Sequence, residues 1–185
     1  MCSRYRVAPD VPEIADILDR IEDRVKTGDI YPTNPAPILL EETLTPTAMT
    51  WGFPRWGNQK GVVFNARAET VFEKRMFAKS ARERRCVIPS TGFYEWHTDE
   101  DGEKTKYFFR RKSGLIVWIA GIWNTFENTP AFTMLTTQAN EKMSSIHNRM
   151  PIIIDKDECK GWIAGSLVEQ ILGRTPIDLE ATKAE

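Results

Sequence analysis

The sequence predicts an α+β protein, with a curved, mostly antiparallel, barrel-like β core and peripheral helices. Short β-like runs separated by turn residues outnumber strands separated by long helices, a pattern typical of antiparallel sheets. Only a few segments have helical periodicity, and they lie outside the stretch where the strands are densest. The 185 residues suffice for one domain with a sizeable core, so we treat 1–185 as a single domain.

The amino-terminal half contains the two longest predicted helices. The first spans Asp10 to Gly28: apolar residues recur at helical spacing, an acidic pair caps its start and a glycine ends it. The next segment, Tyr31 to Pro37, has three prolines in seven residues and should run extended over the surface. A second helix is expected from about Glu69 to Arg84.

Strands dominate the rest of the chain. Five are predicted in sequence: Arg85 to Ile88, Phe93 to His97, Lys106 to Arg111, Leu115 to Trp123 and Ala131 to Thr137. Asp101-Gly102 suits a hairpin turn between the second and the third. Arg149 to Ile154 is expected to be another strand. Two short helices, Lys156 to Ala164 and Ser166 to Leu172, should follow, giving a helical carboxyl-terminal part over about 156–185.

The composition excludes several classes of protein. A net charge of -1 and a pI near 6.2 argue against coating nucleic acid by bulk electrostatics, so DNA would bind in a local groove. Three well-separated cysteines and two histidines favour neither a disulfide framework nor a metal site, and we expect no cofactor. Neither a membrane span nor a signal peptide is evident, which predicts a cytoplasmic protein that does not bind membranes.

Cys2 directly follows the initiator methionine. Such a small side chain permits removal of Met1, which would place a thiol and an α-amine on one residue. The amine has a reference pKa of about 7.7 to 8, far below that of lysine. An aminothiol of this kind condenses with an aldehyde to an imine, and the thiol then closes a thiazolidine ring. The alternative is an ordinary second residue that packs or frays.

Two further residues are candidates for proton transfer. Glu95 lies in a strand where alternation places it on one face with Phe93, and partial desolvation there would raise its pKa. The alternative is a strand-edge glutamate that faces water. His147 stands just before a predicted strand and is a candidate second acid or base, although a lone histidine is more often structural.

Polar and aromatic residues between 51 and 85 could contact nucleic acid. Asn65 and Arg67 precede the second predicted helix and could act as a polar orienting group and a phosphate clamp. Trp51, Phe53 and Trp56 could stack on bases, but an aromatic cluster is usually core. The basic residues from 74 to 85 alternate with glutamates and favour a solvated helix face.

Together, these residues resemble the family of SOS-response-associated peptidases, also described as abasic-site processing or DNA-protein-crosslink shield proteins. The matching segments follow the family's order over roughly residues 1–155. They are Met1-Cys2 with Arg4, Trp51-Gly52-Phe53-Pro54 with Trp56, Asn65-Ala66-Arg67-Ala68-Glu69-Thr70, Arg85-Cys86 with Pro89, Gly92-Phe93-Tyr94-Glu95-Trp96, Ala120-Gly121-Ile122-Trp123 and His147-Asn148-Arg149-Met150-Pro151.

The resemblance implies a monomer that binds single-stranded DNA near a junction and captures abasic sites as a thiazolidine crosslink. It implies that Cys2 is the nucleophile, Asn65 holds its amine, Glu95 shuttles protons and His147 assists sugar ring opening. The remaining implied roles are phosphate contacts for Arg4, Arg67 and Arg149, and base contacts for Trp51 or its aromatic neighbours, including Phe53, and for Trp96.

The sequence departs from the family pattern in two ways. Ser3 stands where many members have glycine after the cysteine, and its side chain could slow approach to the amine. The chain also ends soon after the last motif, so we expect no partner-binding tail. Neither departure removes a residue with an implied catalytic role.

Two other functions fit the same residues. An N-terminal-nucleophile peptidase or amidohydrolase would use the amine as a base for the thiol, at least to remove Met1. A non-enzymatic single-strand binding module would leave Cys2 without a role and bind intact and abasic DNA alike.

Overall fold

The computed structural model describes residues 2–57, 59–174 and 179–184. Their strands are β1 Arg4–Val7, β2 Gly28–Ile30, β3 Pro35–Leu40, β4 Thr45–Trp51, β5 Phe53–Pro54, β6 Val62–Val63, β7 Asn65–Arg67, β8 Arg85–Ser90, β9 Gly92–Thr98, β10 Lys104–Arg111, β11 Val117–Phe126, β12 Thr129–Gln138, β13 Arg149–Pro151, β14 Ile153–Ile154 and β15 Leu179–Lys183. The helices are α1 Pro12–Leu18, α2 Ala78–Glu83, α3 Glu141–Ser144, α4 Cys159–Ala164 and α5 Val168–Gly173, with short 3-10 helices at Ala68–Thr70 and Lys156–Glu158.

Five strands close into a mixed barrel in the order β12-β4-β3-β8-β11, with β11 pairing back to β12. All of these pairs are antiparallel except β12 with β4. Strands β7, β13 and β14 extend the sheet outside the ring. Closure leaves no free edge in the ring, and the α+β class with a barrel-like, mostly antiparallel core is confirmed.

A second antiparallel sheet, in the order β15-β10-β9-β1-β2, adjoins the barrel. Tyr5 on β1 contacts Trp51 on β4 edge to face, with ring centroids 5.0 Å apart. Neither side chain has any exposed surface. This aromatic contact fixes the first strand of the chain against the barrel wall.

The predicted hairpin is confirmed: β9 and β10 pair continuously from Thr98 opposite Lys104, next to the turn, to Phe93 opposite Phe109. The turn is closed by the amide of Glu103 donating to Asp99 Oδ1 at 2.8 Å, and Gly102 takes the left-handed conformation at φ 82°. Every one of the five predicted central strands is present; four extend beyond their expected bounds, and the fourth in sequence, β11, begins two residues later than expected and ends three residues later.

Both long predicted helices are wrong in length. The first ends at Leu18. Its predicted carboxyl-terminal part is used elsewhere, because Gly28–Ile30 pairs with β1 as the edge strand of that sheet and the Lys26 amide donates to Pro35 O at 2.8 Å. The second is interrupted: residues 68–70 form a 3-10 helix, and only Ala78–Glu83 is α-helical. In the first segment, tertiary strand pairing overrode the local helical periodicity.

The expected surface path for Tyr31 to Pro37 holds for residues 31–35, which are exposed or half-buried, and is wrong for the last two residues. From Pro35 onward this segment is β3, and Ala36, Pro37 and Ile38 are buried. The prolines are tolerated because β3 pairs with β8 only at Leu39, so no ladder on that side needs their missing N–H donors.

The carboxyl-terminal part is not wholly helical as expected. It contains the two predicted short helices, α4 and α5, but residues 179–183 form β15 along the edge of β10. Residues 175–178 and 185 lie outside the described residues, as does Met1.

We predict that Gly92→Ala lowers the free energy of unfolding by about 2 to 3 kcal/mol. A Cβ at this position would lie 2.5 Å from the carbonyl oxygen of Phe109 and 2.3 Å from the Phe108 ring, and the backbone atom cannot move aside. Urea unfolding measures the change. Gly173→Ala is the matched control, because its Cβ meets nothing within 4 Å. Equal stabilities for the two variants would contradict the packing argument.

Candidate active site

The pairing of β1 with β9 brings Cys2 close to Glu95. Arg4 lies opposite Tyr94 in this pair, Cys2 precedes Arg4 by two residues, and Glu95 directly follows Tyr94. The Cys2 side chain is 1% exposed, and its Sγ donates to the carbonyl of Arg4 at 3.4 Å. Burial, and then the negative charge of Glu95, raise the pKa of the Cys2 thiol, which is therefore neutral near pH 7.

Glu95 is a buried carboxyl group. It is 2% exposed on a strand whose residues 92 to 95 are all buried, which confirms the prediction that it is desolvated. Burial raises the pKa of Glu95 from its ordinary value of 4.5 to about 7. Both protonation states are therefore populated near neutral pH, as general acid-base catalysis requires.

Asn65 holds the backbone of Cys2. Its strand, β7, runs parallel to β12 with Asn65 opposite Met134, and the side-chain Nδ2 donates to the carbonyl of Cys2 at 2.8 Å. The other end of the same amide, Oδ1, is buried and has no hydrogen-bond partner among the described residues. Cys2 is thus anchored by one half of the Asn65 amide, and the other half is an available acceptor.

His147 lies in the short return from α3 to β13. Its own amide donates to the carbonyl of Met143 at 2.8 Å, and its Nδ1 lies 3.0 Å from the amide nitrogen and 3.2 Å from the carbonyl oxygen of Arg149. Nδ1 can therefore accept from that amide or donate to that carbonyl, depending on the tautomer of the ring. The side chain is half-buried, and burial lowers the pKa of His147. The imidazole is therefore neutral at physiological pH.

Two of the predicted phosphate contacts, Arg4 and Arg67, have different environments. The Arg4 guanidinium lies 4.6 Å from the ring centroid of Tyr31 and 5.1 Å from that of the half-buried Trp96, and 3.9 Å from a carboxylate oxygen of Asp29. Arg67 is exposed on β7, two residues beyond Asn65. Arg4 is thus held in place by aromatic rings, and Arg67 is open to solvent.

The Arg149 guanidinium binds a side chain and a backbone carbonyl from two other segments of the chain. It makes a bidentate pair with Glu69, at 2.6 and 2.9 Å, and donates to the carbonyl of Thr136 at 2.7 Å. The Arg149 side chain is 13% exposed. Arg149 also lines a cleft together with Arg67, so the expected phosphate contact stays a prediction, and a phosphate there would compete with Glu69 for the guanidinium.

Trp51 and Phe53 correct the expectation of base contacts. Both are fully buried, so neither ring can meet a nucleobase in this conformation. The Trp51 indole N–H donates to Phe64 O at 2.9 Å, and the ring lies parallel to that of Phe132. Of the three aromatic residues in this motif, only Trp56 is exposed, at 50%.

A cleft of about 570 Å³ begins at Asn65 and runs past three cationic side chains, Arg67, Lys74 and Arg75. Trp56 forms part of its rim, with the Arg75 guanidinium 5.1 Å from the indole. The cleft concentrates positive charge beside Cys2 in a protein of net charge -1. A local cationic cleft is what the composition requires if the chain binds a nucleic acid.

Residues 2–57, 59–174 and 179–184 contain no group of three or more His, Cys, Asp or Glu side chains that could hold a metal ion. Within the same ranges, no helix has the length and apolar character needed to cross a bilayer.

Sequence reasoning gave no role to three residues of this region. Asp29 accepts from Arg6 and from the Tyr94 hydroxyl, Tyr31 packs on Arg4, and Glu69 binds Arg149. Glu69 lay within a recognised motif, but its partner is eighty residues away. Only the pairing of β7 and β13 with β12 brings the two together.

The fold and the site define a barrel-containing protein with a buried amino-terminal thiol, an amide that holds it and a carboxyl group that titrates near neutrality. The family model for "SOS response associated peptidase (SRAP)" matches residues 1–180, and the chain belongs to this family.

Curated relatives agree with this family assignment, and solved structures agree with the fold. The chain is 32% identical over 180 residues to the abasic site processing protein YoqW of Bacillus subtilis, covering 88% of this chain and 80% of that protein. It is 28% identical over 148 residues to the abasic site processing protein HMCES of Xenopus tropicalis, covering 63% and 44%. Crystal structures of proteins from Bacteroides thetaiotaomicron and Bordetella bronchiseptica have the same fold, each at 22% identity, with TM-scores of 0.82 and 0.83. These alignments cover all of this chain and 92% and 100% of those proteins.

We predict that Glu95→Gln raises the free energy of unfolding at pH 8 by on the order of 1 to 3 kcal/mol and leaves it unchanged at pH 4. The folded-state pKa of about 7 exceeds the ordinary 4.5, so the wild-type protein loses stability as the pH rises between these values. Glutamine stays neutral and removes that loss. Urea unfolding at several pH values measures it, with Glu103→Gln, an exposed residue at the β9–β10 turn, as control. Parallel pH curves for Glu95→Gln and wild type would contradict the raised pKa.

Proposed function

We propose that this protein captures abasic sites in single-stranded DNA by forming a thiazolidine crosslink through Cys2 after removal of Met1. The observation that carries the proposal is the grouping of the Cys2 thiol, the Asn65 amide and the buried Glu95 carboxyl at the amino terminus. Relatives named abasic site processing proteins, among them YoqW and HMCES, support an aldehyde-bearing DNA lesion as the target.

The first step exposes and holds the amine. Removal of Met1 turns the Cys2 nitrogen into an α-amine with a reference pKa of about 7.7 to 8, so roughly a tenth is free base at pH 7. The buried Oδ1 of Asn65 would accept a hydrogen bond from this amine while Nδ2 keeps the Cys2 carbonyl. Asn65 would thus fix both polar groups of the Cys2 backbone.

The second step forms an imine. The amine adds to C1′ of the ring-opened sugar to give a carbinolamine, which loses water as the C–N double bond forms. Glu95 would take the proton that the nitrogen releases and deliver it to the departing hydroxyl. A carboxyl group with a pKa of about 7 is matched to both transfers near neutral pH.

Ring closure completes the capture. The Cys2 thiol loses its proton, the sulfur adds to the imine carbon and the nitrogen gains a proton, so no oxidant or leaving group is needed. The imine alone would acidify the C2′ proton and lead to β-elimination and strand breakage. Closure to the thiazolidine removes the imine and protects the strand.

His147 and the cationic residues would prepare the lesion. In the tautomer with its proton on Nε2, the neutral imidazole can donate to the sugar ring oxygen O4′ as the hemiacetal opens. Arg4, beside Cys2, and Arg67, exposed in the cleft, would bind the flanking phosphates, and Trp96 would contact a base. Such a cleft fits a strand near a single-strand to duplex junction.

A second candidate function is suggested by the peptidase description of the family. Once Met1 is absent, the same thiol, with the amine as its base, would attack an amide and form an acyl-enzyme. Removal of Met1 by the chain itself would need another base, because the Cys2 nitrogen is then still part of the peptide bond. The two reactions share residues and differ in the electrophile, which is an aldehyde in one and an amide in the other.

We predict a heat-stable adduct when processed protein is incubated with a single-stranded oligonucleotide that contains one abasic site. Intact mass first confirms that Met1 is absent, and a denaturing gel then detects the shifted band. Cys2→Ala should give no adduct but should nick the strand, because its amine still forms an imine. Cys159→Ala is the matched control, since Cys159 is a buried cysteine on α4.

Three results would contradict the proposal. Wild-type protein that forms no adduct, while cleaving an amide substrate, would favour the hydrolase. Equal, salt-sensitive binding of intact and abasic oligonucleotides without an adduct would favour a binding module. Loss of the adduct in Cys159→Ala as well as in Cys2→Ala would show that the cysteine requirement is not specific to position 2.

A further inference from the structure

We infer that the outer face of the second sheet binds the single strand of DNA that leaves the lesion. The inference rests on the proposed function, in which Arg4 and Trp96 contact the DNA close to Cys2. The outer face is the side of the sheet β15-β10-β9-β1-β2 that points away from the barrel. It extends the DNA contacts from the candidate active site across a whole sheet.

Strand alternation separates the two faces of this sheet, because successive side chains of a strand point to opposite sides. Tyr5 on β1 and Phe93 on β9 lie opposite each other, are buried, and belong to the face that packs on the barrel. Arg4 and Tyr94, one residue away on each strand, lie opposite each other on the outer face. The outer face is therefore formed by the even-numbered residues of β1, β9 and β10.

Cations outnumber acidic groups on the outer face. Every even-numbered residue of β10 is basic or aromatic, in the order Lys104, Lys106, Phe108, Arg110. Among the described residues of the five strands, the outward cations are Arg4, Arg6, Lys104, Lys106 and Arg110, and the outward acids are Asp29 and Glu180. The whole protein has a net charge of -1, so positive charge is concentrated on this face. Such a face attracts a polyanion.

Aromatic rings lie between these cations. Tyr31, which directly follows β2, is exposed, and Trp96 and Phe108 are half-buried. The Phe108 ring packs on Tyr94 with centroids 4.9 Å apart, and it lies over Gly92, where a Cβ would be only 2.3 Å from the ring. Accessible rings can stack on bases of any sequence, while neighbouring cations bind the phosphates. The mixture of cations and rings therefore fits single-stranded DNA.

The outer face leads from the candidate active site to another cleft. It begins at Arg4, two residues after Cys2. At its other end lies a cleft of about 480 Å³, whose lining includes Arg6, Phe108 and Arg110. The even-numbered residues of β10 alone span about 20 Å, at about 3.4 Å per residue. The face is therefore continuous with the proposed DNA contact at Arg4 and long enough for several nucleotides.

Each of the two acids holds a cation that a phosphate could bind instead. Asp29 accepts from Arg6 Nη1 at 3.2 Å, and Glu180 accepts from Arg110 Nε. The side chains of Arg6 and Arg110 are 47% and 55% exposed. Exposed ion pairs contribute little free energy, so a phosphate can replace either carboxylate at a small cost. Removal of Glu180 should therefore favour DNA binding.

We predict that Arg110→Gln weakens the binding of single-stranded DNA about fivefold at about 0.1 M salt, because one phosphate contact is lost. The oligonucleotide contains a tetrahydrofuran analogue of the abasic site, which has no aldehyde, so fluorescence anisotropy measures binding without a crosslink. The slope of log affinity against log salt should fall by about 0.7. Adding Lys104→Gln should repeat both changes. Glu180→Gln should instead tighten binding about threefold, because it releases Arg110.

Matched controls change the same charges elsewhere. Lys160→Gln removes an exposed cation from α4, which is joined to β8 of the barrel by the bond from Trp162 Nε1 to Cys86 O. Glu42→Gln removes an exposed acid from the turn between β3 and β4, at the opposite end of that hairpin from Trp51. Neither control should change the affinity or the salt dependence.

Strands of different length test where the DNA runs. Oligonucleotides of about 5 and about 15 nucleotides cover the site sizes of single-strand-binding folds. Wild type should bind the longer strand more tightly when the added arm lies on one side of the analogue. Arg110→Gln should remove this gain and leave the binding of the short strand unchanged. A complementary strand annealed to the arm should also remove the gain, because paired bases cannot stack on Trp96 and Phe108.

Several results would overturn the inference. They are equal affinities of Arg110→Gln and wild type for the long strand, a gain that persists when the arm is duplex, and no tighter binding by Glu180→Gln than by Glu42→Gln. Tighter binding of a polyglutamate peptide than of DNA would assign the outer face to an acidic protein instead. If wild type forms no crosslink with an abasic site, the proposed function fails, whereas anisotropy with the analogue still tests the outer face.

Discussion

The site depends on one structural constraint, the pairing of β1 with both β9 and β2. The first residues of a chain usually fray, because few contacts hold them. Here β1 is an interior strand of its sheet, and Tyr5 at its centre is buried against Trp51 of the barrel. Cys2 therefore has a fixed position two residues before a central strand. A nucleophile at the end of the chain gains the precision that side chains on rigid elements usually have.

The sequence predicted the strands from Arg85 to Gln138 well, and two of their pairings, β9 with β10 and β11 with β12, join neighbours along the chain. It failed where the pairing is distant. The Asp10–Gly28 helix is shorter than predicted because Gly28–Ile30 pairs with β1 as an edge strand. The end of the proline-rich segment belongs to the barrel because it pairs with β4. Trp51 shows the same limit: alternation cannot distinguish an aromatic residue on a groove from one inside a closed barrel.

Of the site, the residue types were predictable and their surroundings were not. The Glu95 environment followed from strand alternation with Phe93, since a carboxyl on an apolar face is desolvated. Asn65 was expected to hold the Cys2 amine, whereas the structure shows its Nδ2 on the Cys2 carbonyl. The phosphate role of Arg149 was implied by the family resemblance, and its bond to Glu69 depends on two strands that pair with β12. A sequence shows which residues are charged, but it does not show which residue of opposite charge each one binds.

The electrostatics of the site favour aldehyde capture over acyl transfer. A cysteine hydrolase needs a thiolate, so its thiol pKa is usually lowered by a neighbouring cation or a helix amino terminus. Burial and the Glu95 charge do the opposite to Cys2. In imine formation the amine reacts first, and a neutral thiol does not compete with it for the aldehyde. The thiol is needed only after the imine exists. The electrophilic carbon is then bonded to the nitrogen of the same residue, and the nearby Glu95 carboxylate can take the proton of the thiol. A raised thiol pKa therefore disfavours the hydrolase reaction. In the proposed crosslink reaction, it makes the amine react before the sulfur.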